Sequence, residues 1–209
     1  QEPEILILEL SSFQLETLSS MKAEAASILN ISDDHLDRHK TISNYQAIKQ
    51  NIYQYCQLAV VNRDDPLTLV NEKYAPKSLV SIGTDKPEPG HFGIAQVEGE
   101  QWLMHGEHAL IKLTELPISG LHNALNCMAA LAMGQSIGWF MPTMVEKLKG
   151  FTGLPHRCQP IESCDGVRWI NDSKATNVGA TLAAIEGLAS TLAPANKLIL
   201  IAGGDGKGS

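Results

Sequence analysis

Residues 167–177 read VRWINDSKATN, an apolar strand that runs straight into an acid, a hydroxyl and a lysine. The stretch 178–190 reads as a helix, and KLILIAGGDGKGS at 197–209 as a second strand entering a glycine-rich loop. Strand 166–171, helix 178–190 and strand 197–202 together predict a βαβ unit of the doubly wound type, with its ligand site at the carboxyl ends of the strands. Asp172, Ser173 and Lys174 fall at such an end, and Thr176 lies near the start of the following helix. A lysine, hydroxyls and a helix N-terminus in one place suit an anionic ligand.

Upstream, EILILEL (4–10) reads as a buried parallel strand over Ile5 to Leu10, and SSFQLETLSS (11–20) as a loop leading into a short helix or turn. AASILN (25–30) is a second short apolar segment, and LAVVN (58–62) a further buried strand followed by a turn or helix start at Asp64-Asp65-Pro66. Between them Ser43 is the expected N-cap of a helix on which Tyr45, Ile48, Ile52 and Tyr55 or Cys56 recur at helical spacing. Residues 76–116 alternate in short runs (SLVSIG, FGIAQVEG, QWLMH, HALIKL) broken by Gly and Pro, which predicts a β-rich segment. Gly120 opens an Ala- and Met-rich helix, and VEKLKGFTGLPHRC (145–158) ends another. The domain boundary is expected near Gly153-Leu154-Pro155, dividing the chain into 1–154 and 155–209. A domain rarely begins and ends inside its own sheet, so the apolar runs near both ends predict that this chain is part of a longer one.

Composition narrows the function. A hydrophobic content of 44% supports a real core, while a net charge of −7 and a pI of 5.5 argue against nucleic acid as partner. No run approaches the roughly 18 consecutive apolar residues of a membrane span, and no signal-peptide pattern precedes the first strand. Cys56, Cys127, Cys158 and Cys164 form no CxxC pair or metal spacing, which suits reduced thiols and a cytoplasmic protein.

Several side chains can carry chemistry, each beside a plainer reading. Glu9 ends its strand where an acid can hold Mg²⁺ near a nucleotide phosphate, or simply be solvated. His35 lies in ISDDHLDRH (31–39) beside Asp33, Asp34 and Asp37; the spacing matches no metal motif and suits a charged surface turn, an oxygen-rich Mg²⁺ or Mn²⁺ site, or zinc. Lys49 adjoins the apolar stripe of its helix, where lysines usually snorkel to water; a desolvated amine there would lose its proton more easily. Asn123 and Asn126, with His122, share one helix face, from which amides can read a base edge or satisfy backbone. GGDGKGS (203–209) is not a phosphate-binding P-loop, because Gly208 rather than Ser or Thr follows Lys207.

These motifs together carry a resemblance. LELSSFQLE (8–16), ILNISDDHLDRH (28–39), YQAIKQNIY (45–53), SGLHNALNCMAALA (119–132), FTGLPHRC (151–158), WINDSKATN (169–177) and GGDGKG (203–208) make the chain resemble the Mur ligases. Within that family it is similar to the branch that adds D-glutamate. The resemblance implies an α/β chain: the later part of a P-loop-type central domain (1–154), then the opening of a Rossmann-like C-terminal domain (155–209). The implied reaction joins D-glutamate to UDP-N-acetylmuramoyl-L-alanine in peptidoglycan precursor synthesis. ATP first phosphorylates the substrate carboxylate, and the amine then displaces phosphate. ATP and Mg²⁺ or Mn²⁺ are the implied cofactors, and the full-length protein is expected to be monomeric, with no nucleic-acid partner.

By the same resemblance Glu9, His35 and Lys49 are expected to be catalytic and to hold the metal, Lys49 as N6-carboxylysine. Asn123, Asn126, Arg157 and Asp172 match ATP contacts, with His156 beside them. Ser11 and Gln14 match contacts to the UDP-linked substrate, while Lys174, Thr176 and Lys207 match the D-glutamate side. Two rivals stand beside this reading: a non-catalytic α/β module that only binds ligands, and a folylpolyglutamate synthetase-like ligase, against which NDSKATN and LELSSFQLE weigh.

Overall fold

Strand β2 (Cys56–Asn62) is the most deeply buried element of the chain, and its apolar, valine-containing sequence suits burial on both faces. It runs parallel to β1 (Ala23–Ile28), with Ala26 opposite Ala59 and Ile28 opposite Val61, and β3 (Ser78–Ile82) follows in the order β1-β2-β3. A parallel pair requires a crossover. Here it is made by α2 (Leu36–His39), α3 (Ile42–Lys49) and a 3₁₀ turn over Gln50–Tyr55, all downstream of α1 (Ser12–Thr17). The computed structural model describes residues 4–116, 118, 120–189, 192–193 and 195–204. They form two compact units that divide at Ser81/Ile82.

The core of the first unit joins Ala26, Ile28, Ile31, Tyr45, Tyr53, Cys56, Ala59 and Val61. Most of the polar groups around it are paired, although the buried Ser27 hydroxyl has no hydrogen-bond partner among the described residues. The Tyr53 hydroxyl donates to the Thr68 carbonyl at 2.9 Å, and the Thr68 hydroxyl donates to the Asn62 carbonyl at 2.8 Å. Asp65 caps the 3₁₀ turn Pro66–Thr68 with one oxygen, accepting from the Leu67 N–H at 3.0 Å, and takes the Ile31 N–H at 2.8 Å with the other. The Asn62 amide donates to the Leu29 carbonyl at 3.1 Å. The loop after β1 is thereby anchored at Leu29 and Ile31 to the loop after β2.

Two expectations change in this unit. Ile5 to Leu10 forms no strand and is largely exposed, Ile7 at 88%. An apolar run becomes a strand only where a neighbouring edge takes its backbone groups, and no strand among the described residues does so. The N-cap of α3 is Thr41, whose hydroxyl accepts from the Asn44 N–H at 3.1 Å, while Ser43 lies inside the first turn.

The β-rich segment forms as expected. Strands β4 (Phe92–Val97), β5 (Glu100–His105) and β6 (His108–Lys112) make an antiparallel meander. Glu98 (φ 53°) and Gly99 (φ 83°) close the first hairpin with the two positive φ angles that a tight turn of matching twist requires. Phe92, Ile94, Leu103 and Ile111, which share one face by register, are buried, as is Met104, with the apolar face of α4 (Leu121–Ser136) also in the core. Helix α5 (Met141–Lys149) follows so closely that a Cβ on Gly134 of α4 would run into Met144 and Trp139.

His105 stacks on Phe92 with ring centroids 4.4 Å apart, and burial lowers its pKa from 6.5, with His108 and His91 adding to the fall against a raising hydrogen bond at Gly90. The folded state therefore binds the proton less readily than the unfolded chain, and stability falls as pH drops through about 6.5. Melting temperature is expected to decline from pH 7 to pH 5, and to decline less in His105→Gln. Parallel pH profiles for the two proteins would refute this.

The βαβ expectation does not hold. β8 (Trp169–Asn171) pairs antiparallel with β7 (Gln159–Ile161), with Gln159 opposite Asn171 and Ile161 opposite Trp169. The helix α6 (Val178–Ala189) forms as expected, but residues 197–202 form no strand and Ile199 is 81% exposed. The segment adjacent in sequence supplies the hydrogen bonds for β8. Among the described residues the fold is thus mixed α/β, with one sheet built on the parallel pair β1/β2 and two antiparallel sheets. No described helix is long and apolar enough to cross a membrane.

Candidate functional site

The first unit gathers carboxylates around one amine. Lys49 is the last residue of α3, half-buried, with Nζ 5.8 Å from the centroid of the Tyr45 ring. Burial lowers its pKa from 10.5, and the carboxylates of Glu9 and Asp34 push the other way. Its charge is therefore destabilised by lost water and partly restored by two acids from separate segments. Glu9 itself is exposed on the extended stretch before α1.

His35 has a left-handed backbone (φ 54°, ψ 30°) at the N-cap of α2, and its N–H donates to Asp34 Oδ1 at 2.9 Å. Its Nε2 is 3.8 Å from Asp34 Oδ2, and the ring meets Phe13 edge-on at 5.2 Å. Non-glycine residues in that region are strained and cluster at functional sites. Among the described residues no three His, Cys, Asp or Glu side chains are close enough to hold a metal by themselves.

Ser11 and Gln14 lie together, bonded to each other. The Ser11 N–H donates to Gln14 Oε1 at 2.8 Å and the Gln14 N–H to Ser11 Oγ at 3.3 Å, a capping box that starts α1. The signal was present in the spacing S-x-x-Q.

In the second unit the segments around GLPHRC and NDSKATN are knitted together. The Cys158 N–H donates to Asp172 Oδ1 at 2.9 Å, and the Lys174 N–H to the His156 carbonyl at 3.1 Å. Asn171 Nδ2 and His156 Nδ1 share a hydrogen bond of 2.9 Å, and the His156 N–H donates to Gln159 Oε1 at 3.0 Å. His156 (φ 63°) and Cys158 (φ 45°) flank Arg157 with left-handed backbones. Burial raises the Cys158 thiol pKa, and Asp172 raises it further. Asp172 is thus close to Arg157 in space although 15 residues away in sequence. The side chains of Arg157, Lys174 and Thr176 face solvent, and Asn177 caps α6, its Oδ1 accepting from the Ala180 N–H at 2.8 Å. Asn171 and Asn177 are positioning groups that the sequence reading missed.

On α4, Asn126 Nδ2 donates to Asn123 Oδ1 at 3.5 Å, so the two amides do share a face. His122 lies against Gly120 and Gly187, where a Cβ on Gly120 would fall 2.8 Å from its ring. Burial lowers the His122 pKa and the charge of Asp172 opposes the fall. Lys207 lies outside the described residues.

This arrangement has counterparts among known proteins. Residues 1–134 match the family model of the Mur ligase middle domain. The chain belongs to the Mur ligase family. It is 61% identical, over its whole length, to the UDP-N-acetylmuramoylalanine–D-glutamate ligase of Colwellia psychrerythraea, and 49% identical to the ligase of the same name from Chromohalobacter salexigens. It covers 44% and 45% of those two proteins, so the chain spans less than half the length of these relatives. Among solved structures, MurF from Acinetobacter baumannii aligns with TM-score 0.66 and 23% identity over 81% of this chain and 38% of its own. The UDP-N-acetylmuramate-alanine ligase MurC from Thermotoga maritima aligns with TM-score 0.61 and 20% identity over 86% of this chain and 39% of its own. At those identities the likeness is one of fold.

Proposed function

We propose that the full-length gene product joins D-glutamate to UDP-N-acetylmuramoyl-L-alanine at the expense of ATP, through an acyl phosphate, in cytoplasmic synthesis of peptidoglycan precursors. The observation that carries this reading is 61% identity along the entire chain to a ligase of that name. In this reading residues 1–154 are the later part of the central ATP-binding domain and 155–209 open the C-terminal domain. The local chemistry agrees. A lysine with a lowered pKa between two carboxylates is unusual for a solvated surface and suits a site that tunes charge.

Glu9, His35 and Lys49 would hold Mg²⁺, a fit supported by the hard oxygen donors of Glu9 and Asp34 flanking Lys49 and by the tendency of Mg²⁺ to keep waters rather than demand a full protein cage. Bound there, the ion would neutralise charge developing on the transferred phosphoryl group. The protein groups do the rest. The Lys49 amine, when neutral, adds to CO₂, forming an N–C bond and releasing a proton, and so becomes an anion. Asn123 and Asn126 present amides to the adenine edge, and Arg157 and Asp172 hold the nucleotide. Ser11 and Gln14 hold the muramoyl substrate, and Lys174, Thr176 and Lys207 orient the carboxylates of D-glutamate.

The test is ADP release by the full-length gene product with UDP-N-acetylmuramoyl-L-alanine, Mg²⁺ and ATP, with and without D-glutamate. Release that depends on D-glutamate is expected. Release that depends on a different amino acid would overturn the branch, and none with any acceptor would favour a binding module.

A further inference from the structure

His39 is the last residue of the four-residue helix α2 and is only 4% exposed. Its Nε2 shares a 2.9 Å hydrogen bond with the hydroxyl of Ser12, the 2%-exposed first residue of α1, 27 positions away. Phe13 packs against its ring at 5.5 Å and Tyr45 at 5.3 Å. Phe13 also meets His35, and Lys49 Nζ lies over Tyr45. An unbroken run of contacts therefore passes from His35 through Phe13, His39 and Tyr45 to Lys49. His39 is its middle member, and its carbonyl accepts from the Asn44 amide of α3 at 3.1 Å.

We infer that His39 is a positioning residue that pins α1, through Ser12, against the helix carrying Lys49. The inference rests on the ligase reading, in which α1 and its N-cap carry the substrate contacts Gln14 and Ser11. Helices of six, four and eight residues do not hold themselves in place, so their relative setting depends on tertiary contacts. Besides the Phe13 ring contacts, two polar side-chain contacts join α1 to α2 among the described residues. The ion pair of Arg38 with Glu16 at 2.7 Å is solvated, its side chains 56% and 33% exposed, and such pairs contribute little. The Ser12–His39 bond is buried on both sides, and losing one partner strands the other polar group. Of the two polar contacts, the buried bond rather than the ion pair fixes the first turn of α1, while Leu15, 2% exposed, and the Asn51 amide, which donates to the Leu15 carbonyl at 3.4 Å, hold the turn after it.

The experiment measures KM for UDP-N-acetylmuramoyl-L-alanine and for ATP in the full-length gene product and in Ser12→Ala, His39→Leu, His39→Gln and Arg38→Ala. Loss of the pin is expected to raise KM for the UDP-linked substrate about tenfold in Ser12→Ala and His39→Leu, and KM for ATP less than about twofold. His39→Gln keeps a polar nitrogen for the Ser12 hydroxyl and is expected to stay within about threefold of the parent, as is Arg38→Ala. Partial unfolding would lower kcat by reducing active enzyme and leave KM unmoved, so the KM split separates positioning from stability. If His39→Leu does not fold, Ser12→Ala, which deletes only a hydroxyl, decides. An unchanged KM in folded Ser12→Ala, or equal effects of Arg38→Ala and Ser12→Ala, overturns the inference alone. A parent protein inactive with every acceptor overturns the ligase reading and this inference with it.

Discussion

Lys49→Ala in the full-length gene product is expected to lower D-glutamate-dependent ADP release by about a thousandfold, the scale seen when a group that stabilises transition-state charge is removed. Lys49 ends α3 and is half-buried, so truncation leaves no large cavity and the fold should persist. The amine has lost water to burial, while Glu9 and Asp34 restore part of its preference for charge. A lowered pKa enlarges the neutral fraction at a given pH, and only the neutral amine adds to CO₂. Lys49→Arg separates the two roles open to this side chain. A guanidinium keeps the positive charge and never becomes neutral, so it should be as inactive as alanine if the carbamate is what matters. ¹³C-bicarbonate should give a carbamate resonance in the parent and none in Lys49→Ala. An active Lys49→Ala, or an Arg variant with parental activity, would remove Lys49 from the mechanism.

Lys174→Ala should raise KM for D-glutamate by about a hundredfold, the cost of stripping one partner from a charged contact that is desolvated when the site is occupied. The loop that carries it is held independently of the side chain. Its N–H bonds to the His156 carbonyl, Asp172 takes the Cys158 N–H, and Asn171 meets His156. The backbone should therefore stay in place when the amine is removed, and KM for ATP should remain within about threefold. Lys174→Arg keeps charge but changes geometry and should recover part of the loss. Equal KM values for D-glutamate in parent and Lys174→Ala would assign the acceptor site elsewhere. A parallel rise in KM for ATP would make Lys174 a structural member of the loop.

Local sequence was sufficient wherever a pattern of its own period decides the element. The valines and alternation of CQLAVVN and of the four runs between 76 and 116 became strands, and GLHNALNCMAALAMGQS became α4 with its two amides on one face. The S-x-x-Q spacing at Ser11 became a capping box, because every atom it needs lies within one turn. The clustering of an acid, a hydroxyl and a lysine after an apolar strand is likewise a local pattern, and the proposed acceptor site rests on it.

Tertiary structure alone decided the remainder. EILILEL and KLILIA carry as much strand character as CQLAVVN, yet neither is a strand, because a ladder needs a partner edge that composition does not specify. The same rule turned β8 toward β7 and away from a parallel neighbour. No spacing rule brings Ser12 to His39 across 27 residues, or sets Glu9 and Asp34 around Lys49 so that burial and charge contend for its proton. Residue types and local periods are written along the chain. Which buried polar groups meet, and what each costs when its partner is removed, depends on contacts between segments far apart in sequence.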